Sequence, residues 1–456
     1  MKKKYLKLLI AGLVFVASLQ TAIAENDTPN ESEEKEFSKP EHMFPLAEDL
    51  SGSKIEQFRD EYLGERGWGV GFSADNPGGA YIGWGTADIH LGSGDLKFGQ
   101  ARIMAFQKAL MDAVGGFAKD SKRTTMTKTA SRIFQDDSNF NSEKFETQND
   151  QSRLDKIVDK TLKLTDAKLD SELMELGVDP EEFKSKPPVQ RQKMLEDSIS
   201  REIVVQSIKS TSGIRPLASW EDTGQVGVLV VSSDKMRKIA QGMASGRMVA
   251  SLKSPPKQNV KQQIAKMTPN GAKDYIDIHG VRIMSDENGN RAVVGFGQWS
   301  PAVTRNDSKL RRKISTKAAR DIARNNADGF ISDFVNSTVV VNDRQKLVSN
   351  AEVNRVISGG EIEEVESADI GTMLDKLVKQ SGSSRLEGVS TVTTWTANHP
   401  ITGHLIVGHV LMWSPSTRDA AKGKFPKPQK IADGKKAKLG KDTIRQSPDF
   451  DEDADF

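Results

Sequence analysis

The sequence predicts an α+β protein that contains two tandem copies of one unit, each a small mixed or antiparallel sheet covered by a long alanine-rich helix. Two observations predict this class. Five sequence landmarks recur in the same order in the two halves of the 456-residue chain, which indicates an internal duplication. Within each half, runs of alternating apolar residues flank a segment whose apolar residues recur every three to four positions, as strands flank an amphipathic helix.

A glycine-rich hairpin opens each copy. The first, Gly69–Gly85, is "GVGFSADNPGGAYIGWG", and the second, Gly280–Gly297, is "GVRIMSDENGNRAVVGFG". Asn288-Gly289 is a strong turn signal because both central residues of a tight hairpin turn need a positive φ. The "NPGG" of the first copy stands at the matching place, and "GWG" matches "GFG". We therefore expect two strands joined by a turn at the start of each copy.

A long helix follows each hairpin. Ala101–Asp120 aligns with Ile314–Asp333 at a constant offset, so that Ala105 falls on Ala318. The apolar residues of the first segment recur at helical spacing, and its alanines would allow close packing on a sheet. Strand-like runs come next, at Thr124–Phe134 and Ser337–Gln345, and we expect a strand after each helix.

A strand pair and a short helix close each copy. Trp220 and Trp395 stand at repeated positions in these strands, which favours a role as core anchors. Short helices are expected to start near Asp234 and Ser416. The predicted strand pairs are Gly213–Trp220 with Gly227–Ser233, and Gly388–Trp395 with Gly408–Ser414.

A helical insertion at about residues 140–205 distinguishes the first copy from the second. Its apolar residues roughly trace one face of a helix: Leu154, Ile157, Val158, Thr161, Leu162, Leu169, Leu173 and Leu176. Asp179-Pro180 is a plausible N-cap and first residue of a further helix. The charged helical hairpin predicted here either packs on its own domain or serves as an arm that binds a partner.

The N-terminus carries the pattern of a secretory signal peptide. Four lysines precede a short apolar run, Leu8–Leu19, and "AIA" before residue 25 is a small-residue cleavage site, so cleavage is predicted after Ala24. The run is shorter than the roughly 20 residues that a spanning helix needs, and no later segment is apolar enough to span a membrane. We expect a periplasmic protein, with secretion beyond the outer membrane possible.

These features divide the chain into six predicted segments. They are a signal peptide (1–24), a disordered acidic leader (25–50), a first α+β repeat (51–250), a linker (251–272), a second repeat (273–421) and a disordered charged tail (422–456).

Composition excludes several kinds of site. The chain has no cysteine, so disulfides, cysteine metal sites, a cysteine nucleophile and a lipid-anchored N-terminal cysteine are all impossible. A formal net charge of +2 gives no reason to expect nucleic acid as a partner.

The motifs that suggest chemistry are weak. The glycines of Gly69–Gly85 do not lie between a strand and a helix N-terminus, as a phosphate loop requires. His404 and His409 would lie on opposite faces of one strand, which argues against a metal site shared with His399. A pair such as Asp75 and Asp88 supports no mechanism from composition alone. The sequence therefore predicts no catalytic residue, no metal ligand and no cofactor.

The order "Gly-aromatic-Gly" strand, alanine-rich helix and then "ASWEDTGQVGVLVVSS" (Ala218–Ser233) resembles the lipoprotein-20 family and the N-terminal domain of the flagellar assembly protein T. The resemblance covers roughly Trp68–Phe134 and Gly213–Ala240, and the second copy more weakly. It implies a small α+β domain in a non-enzymatic bacterial envelope protein that acts in assembly or in contacts with other envelope components. The missing lipobox cysteine departs from the lipoprotein branch.

We therefore expect a non-enzymatic periplasmic structural or assembly protein that acts through protein–protein contacts with envelope proteins, with contact to peptidoglycan or to itself as further options. The alternative is a periplasmic protein that binds or cleaves glycans, since an exposed row of tryptophans can stack on sugars. The sequence holds six: Trp68, Trp84, Trp220, Trp299, Trp395 and Trp413.

Overall fold

The computed structural model confirms an α+β fold with two antiparallel sheets, one in each copy of the duplication. It describes residues 53–135, 140–244, 258–286, 288–342, 386–423 and 445–446. All of these belong to one unit, residues 40–456. The predicted signal peptide and leader lie outside the described residues, as does most of the predicted tail.

The first repeat begins with α1 (Ser53–Arg66) and the sheet strands β1 (Gly71–Phe72) and β2 (Tyr81–Asp88), followed by α2 (Phe98–Ile133). β3 (Arg215–Glu221), β4 (Gln225–Ser232) and α8 (Asp234–Ala244) close it. The five helices of the insertion lie between α2 and β3: α3 (Ser142–Glu146), α4 (Asp150–Leu162), α5 (Asp166–Glu175), α6 (Pro180–Ser185) and α7 (Pro188–Ser210).

The second repeat follows the same order. It consists of α9 (Val260–Met267), β5 (Gly280–Ser285), β6 (Arg291–Trp299), α10 (Lys309–Asn342), β7 (Ser390–Asn398), β8 (Leu405–Trp413) and α11 (Pro415–Ala421). The strand orders are β1-β2-β4-β3 and β5-β6-β8-β7, and β9 (Arg445–Gln446) extends the first sheet beside β3. β9 lies within the tail that the sequence predicts to be disordered, and its Gln446 and Arg445 pair with Trp220 and Glu221 of β3.

Glycines in the central hairpin strands let the long helices lie directly on the sheets. A Cβ on Gly85 would stand 2.2 Å from the carbonyl oxygen of Ala109, and one on Gly297 would stand 2.2 Å from that of Ala323. No Cβ fits at such a distance, so both positions require glycine.

These contacts correct the alignment of the two helices by one residue. Ala109 and Ala323 touch equivalent glycines, so the residue that corresponds to Ala105 is Ala319 and not Ala318. The two helices are best aligned by the alanines that contact the sheet, because this contact fixes the position of each helix on its sheet.

The predicted strand after the first long helix is wrong. Thr124–Phe134 belongs almost entirely to α2, which runs without a break to Ile133. Met126, Ala130 and Ile133 are buried at helical spacing in the core of the insertion, and this packing outweighs the strand preference of the threonines. The threonine hydroxyls bond back to the preceding turn, as Thr124 does to the Asp120 carbonyl at 2.9 Å. In the second copy, residues 337–342 are likewise helical in α10, and 343–345 lie outside the described residues.

The insertion has its own hydrophobic core, formed with the C-terminal half of α2. Ile157, Leu173 and Leu195 are fully buried in it. The segment predicted as one helix face forms two helices, α4 and α5, which are separated after Leu162. The predicted cap is present, since the Asp179 side chain accepts a hydrogen bond from the backbone of Glu181 and the next residue, a proline, is the first of α6.

Part of the predicted linker is structured. α9 lies within residues 251–272 and carries a complete capping box at Asn259 and Gln262. Its Val260 and Ile264 are buried with Trp395 on the face of the second sheet that points away from α10. In the first repeat, α1 holds the same place through Ile55, which packs beside Trp220. Each sheet is therefore covered on both faces.

Candidate functional site: a buried polar junction between the repeats

A cluster of ionisable side chains is buried where the two repeats meet. We call Arg102, Glu221, His279, Gln298 and His399 the polar junction. α2 and β3 of the first repeat supply Arg102 and Glu221, and the second repeat supplies the other three. All five residues are at most 8% exposed, so the surrounding medium screens their charges weakly.

Glu221 is bound from both repeats. The Arg102 Nε donates to its Oε2 at 2.6 Å, and the His399 Nε2 donates to its Oε1 at 3.1 Å. Burial raises the pKa of the Glu221 carboxyl, but the charge of Arg102 and the hydrogen bonds from His399 and Arg102 outweigh it, and the pKa lies well below its usual range. Glu221 is therefore ionised, and its charge is compensated.

Arg102 extends the junction into the second repeat. Its Nη1 donates to the Gln298 Oε1 at 3.1 Å, and its Nη2 donates to the Ile276 carbonyl at 2.7 Å. A buried guanidinium needs several acceptors in fixed directions, and here these acceptors come from both repeats. The side chain thus fixes the position of one repeat against the other.

His279 is the neutral member of the junction. Its Nε2 lies 3.0 Å from the Gln298 amide nitrogen, and its ring stacks on Phe106 at 4.1 Å between centroids. Burial and then the charge of Arg102 lower the pKa of His279 well below its usual value. The ring is therefore uncharged at neutral pH, and it accepts a hydrogen bond at Nε2.

Further hydrogen bonds across the boundary surround the junction. His404 Nε2 donates to the Asp95 carbonyl at 2.8 Å, and the Gln100 amide donates to the Ser300 carbonyl at 2.9 Å. A Cβ on Gly99 would stand 2.4 Å from the Ser300 Oγ. The N-terminal end of α2 is therefore packed closely against the second repeat.

The junction leaves almost no space for a ligand. The cavity that Arg102, Glu221 and His279 border has a volume of about 10 Å³, which is at the lower limit for one water molecule. Its charged groups are bonded to one another. The arrangement is suited to holding the repeats together, and a substrate would have to separate them to reach it.

A larger cavity lies beside α10. Its volume is about 430 Å³, and both charged and apolar side chains border it. Its lining consists of Asp321, Arg324, Asn325, Asp328, Leu386, Gly388, Val389 and Leu411. At the matching place in the first repeat, Leu110, Val114, Ile214 and Val230 pack in one core with Phe330 of the second repeat.

The three histidines considered as a metal trio have different partners. His399 bonds to Glu221, and His404 bonds to Asp95. His409 lies on β8, where burial and then the charges of two arginines of α10 lower its pKa to about 4. Among the residues that the structure describes, no group of three or more His, Asp or Glu side chains could hold a metal ion.

The other residues considered from the sequence are also placed apart. Asp75 lies in the turn after β1, where its backbone bonds to Ser73, whereas Asp88 ends β2 and accepts from Gln225. Within the described ranges, no helix is long and apolar enough to cross a membrane. Three of the six tryptophans are at most 8% exposed, namely Trp220, Trp395 and Trp413.

Sequence reasoning missed Arg102 and Glu221. The two residues are 119 positions apart, and no motif connects them. The available signal was a charged residue inside an apolar pattern, since Arg102 stands in "ARIMAF" and Glu221 ends "PLASWE". Charged residues on a buried face are rarely without a partner.

Comparison with known proteins gives two similarities. Residues 154–245 match the family model of a domain of unknown function, DUF6844, which spans most of the insertion together with β3, β4 and α8. No curated protein matches significantly. A solved structure, the 2.3 Å crystal structure of hypothetical protein FTT1539c from Francisella tularensis, is similar with a TM-score of 0.45 and 16% identity, over 81% of this chain and 94% of that one. The resemblance to the lipoprotein-20 family and flagellar assembly protein T stays a prediction.

Proposed function

We propose that this protein is a non-enzymatic structural or assembly protein of the bacterial envelope, located in the periplasm and acting through contacts with other envelope proteins. One observation supports this most directly. Its buried ionisable groups, Arg102, Glu221 and His399, are bonded to one another across the boundary between the repeats. They fix the shape of a two-repeat body, and such a body offers large outer surfaces to partners.

The glycan-binding alternative receives less support. A stacking platform needs aromatic rings that face solvent. Trp220 and Trp395, which stand at equivalent positions, each lie across from a glycine of the neighbouring strand, Gly227 and Gly408. Both rings fill the sheet core on the α1 and α9 side.

In-cell photocrosslinking tests the proposed function. A photoreactive residue is placed at Lys156 or Lys163, both exposed on the helical insertion, and in a control at Lys317, which is exposed on α10. We expect the insertion sites to capture a defined envelope protein that the control site does not capture. Capture of nothing above background from either insertion site, or a chain found only in the cytoplasmic fraction, would contradict the proposal.

A further inference from the structure

The first strands of the two sheets, β1 and β5, occupy equivalent positions but differ in whether a helix covers them. In the second repeat, α8 of the first repeat lies beside α10 on the helix-covered face of the sheet. Its Met236, Ile239 and Met243 are each at most 3% exposed, and they share a core with Val281 of β5. Through this helix the first repeat contributes apolar side chains to the core of the second.

In the first repeat, the equivalent face has no such helix among the described residues. Val70 and Phe72 correspond to Val281 and Ile283 in the aligned hairpins. Val281 is 2% exposed under α8, whereas Val70 is 52% exposed and Phe72 is 55% exposed. The same strand edge is therefore covered in one repeat and open in the other.

The open surface continues onto α2. Phe72 packs against Tyr81 at 4.9 Å and against Phe117 at 6.1 Å between ring centroids. Gly116 lies next to them, and a Cβ there would meet only the Tyr81 hydroxyl, at 3.8 Å. Tyr81 is 4% and Phe117 2% exposed, so they form the floor on which the exposed Phe72 side chain lies.

The outer face of the second repeat, on α10, differs in chemistry from the matching face of α2. Counted from the alanines that touch the glycines, Phe106 and Leu110 of α2 correspond to Arg320 and Arg324 of α10. Phe106 faces Phe330 of the second repeat at 6.3 Å, whereas the arginines line a face that receives no further repeat in the described chain. Terminal units of repeat proteins are usually polar on their outer face. Arg320 and Arg324 follow this rule at the two positions where the first repeat carries Phe106 and Leu110, although Ile322 between them is 37% exposed.

We propose that the exposed side chains of Val70 and Phe72, which lie beside the buried rings of Tyr81 and Phe117, bind an amphipathic helix of a partner protein, with aliphatic residues spaced as in α8. The proposed contact resembles the one within the chain in which α8 packs over Val281 of β5. The inference rests on the proposed function and names one surface that serves it. In α8 the apolar residues stand at positions i, i+3, i+4 and i+7, the spacing by which a helix lies in an apolar groove: Met236, Ile239, Ala240 and Met243.

A second copy of the chain fits the surface less well than a partner helix. The element of the second repeat that corresponds to α8 is α11, Pro415–Ala421. It carries Thr417 and Ala420 where α8 carries Met236 and Ile239, so it offers little aliphatic surface. Two other elements of the chain lie elsewhere on this sheet, since α1 packs on its opposite face and β9 lies at its opposite edge.

The test uses a labelled peptide with the sequence of α8, Asp234–Ala244, and the purified full chain. We expect saturable binding by fluorescence anisotropy. The substitutions Val70→Ser and Phe72→Ser should weaken it at least tenfold, singly or together. Met104→Ser is the matched control, since Met104 is 58% exposed on α2, and it should leave binding within twofold. Thermal melting of each variant shows that it is folded.

Three outcomes would overturn the proposal: no saturable binding, equal binding by the Phe72→Ser variant, or binding that appears only when residues 25–52 are deleted. A fourth outcome would also overturn it. If sedimentation shows that the chain alone forms a dimer and that Phe72→Ser dissociates this dimer, the surface binds a second copy of the chain. Crosslinking from Lys156 remains an independent readout. If it succeeds while the peptide fails, the helix-binding surface is wrong and the proposed function stands.

Discussion

At the scale of single residues, the contact between Arg102 and Glu221 is the most consequential in the chain. Arg102→Met removes the guanidinium, keeps a side chain of similar shape and leaves a buried carboxylate with one remaining partner, His399. Breaking one side of a buried ion pair costs about 3–5 kcal/mol. We expect a loss of free energy of unfolding in that range, measured by urea denaturation.

The double variant Arg102→Met with Glu221→Leu separates the charge effect from packing. It should recover part of the loss, because no uncompensated charge remains buried. The pair of Arg59 and Asp60, whose carboxylate is 65% exposed, supplies the matched control, and Asp60→Asn should cost less than about 1 kcal/mol. An Arg102→Met variant no less stable than this control would contradict the role of the junction.

Gly85 is a second residue whose identity is dictated by contact. Gly85→Ala would place a methyl group 2.2 Å from the Ala109 carbonyl oxygen and 2.4 Å from the Ala113 nitrogen. Both are backbone atoms, so α2 must move away from the sheet. We expect a loss of about 1–3 kcal/mol or more by urea denaturation.

Gly64→Ala is the control for that substitution. Gly64 lies in α1, and no atom lies within 4 Å of the position that a Cβ would take there. Alanine at this position should stabilise the helix by up to about 1 kcal/mol. If both substitutions shift the urea midpoint in the same direction, close helix–sheet packing does not explain why Gly85 and Gly297 stand at equivalent positions.

His409 predicts a pH dependence of stability. Its pKa in the folded chain is about 4, against an ordinary value of 6.5. Between these values the unfolded chain binds more protons, so stability falls as the pH drops from 6.5 to 4. His409→Gln should reduce the stability difference between about pH 7 and pH 4.5, on the order of 1 kcal/mol after allowance for partial exposure. Met174→Gln, at a side chain that is 64% exposed and does not titrate, should leave that difference unchanged, and an equal effect of both would refute the assignment.

Residues that repeat were predictable from the sequence, and residues that meet across the boundary were not. The "GWG" and "GFG" motifs and the alanine-rich helices indicated close packing because each occurs twice. Arg102 and Glu221 occur once each. Their pairing depends on how the two repeats are docked, which no local pattern records.

At the scale of elements, the insertion is held by its own core. Ile157→Ala should destabilise it by about 2–5 kcal/mol, because Ile157 is fully buried there and the cavity left cannot collapse fully. Hydrogen exchange should show faster exchange in α4–α7 than in the sheets. Met174→Ala, at a side chain 64% exposed, is the control and should change neither. Uniform acceleration across both sheets would show that the insertion is not a separate cooperative unit.

The element order was predicted except where tertiary contacts outweigh local preference. The strands follow from period-two patterns, and Gly289 adopts a positive φ of 76°. Asn288 and Gly289 are not the two central residues of the turn, because the Gly289 nitrogen donates to the Asp286 carbonyl and Asp286 pairs with Asn290. The threonine-rich run after Asp120 looked like a strand by composition. It is helical because the insertion packs against its buried side. The residues of the insertion that make this contact lie later in the chain, so the local pattern of the run does not reveal them.

At the scale of the whole molecule, the two repeats form an asymmetric pair. α8 leaves the first repeat and packs on the second sheet, while the equivalent α11 is short and poor in aliphatic residues. The duplication in the sequence indicates that the two repeats have the same fold, but it does not show through which surfaces they contact each other. That information lies in the differences between the copies, such as Phe106 against Arg320.

Cutting the chain between the repeats tests whether this packing holds them together. A protease site is inserted between Ala244 and Gln258, the residues that bound the described parts of the two repeats. After cleavage the halves should elute together in size-exclusion chromatography, because α8 is buried in the second repeat and the polar junction spans the boundary. Met236→Ser with Ile239→Ser should release them, whereas Met174→Ser should not. Separation of the unsubstituted halves would mean that covalent linkage, and not the interface, maintains the two-repeat body.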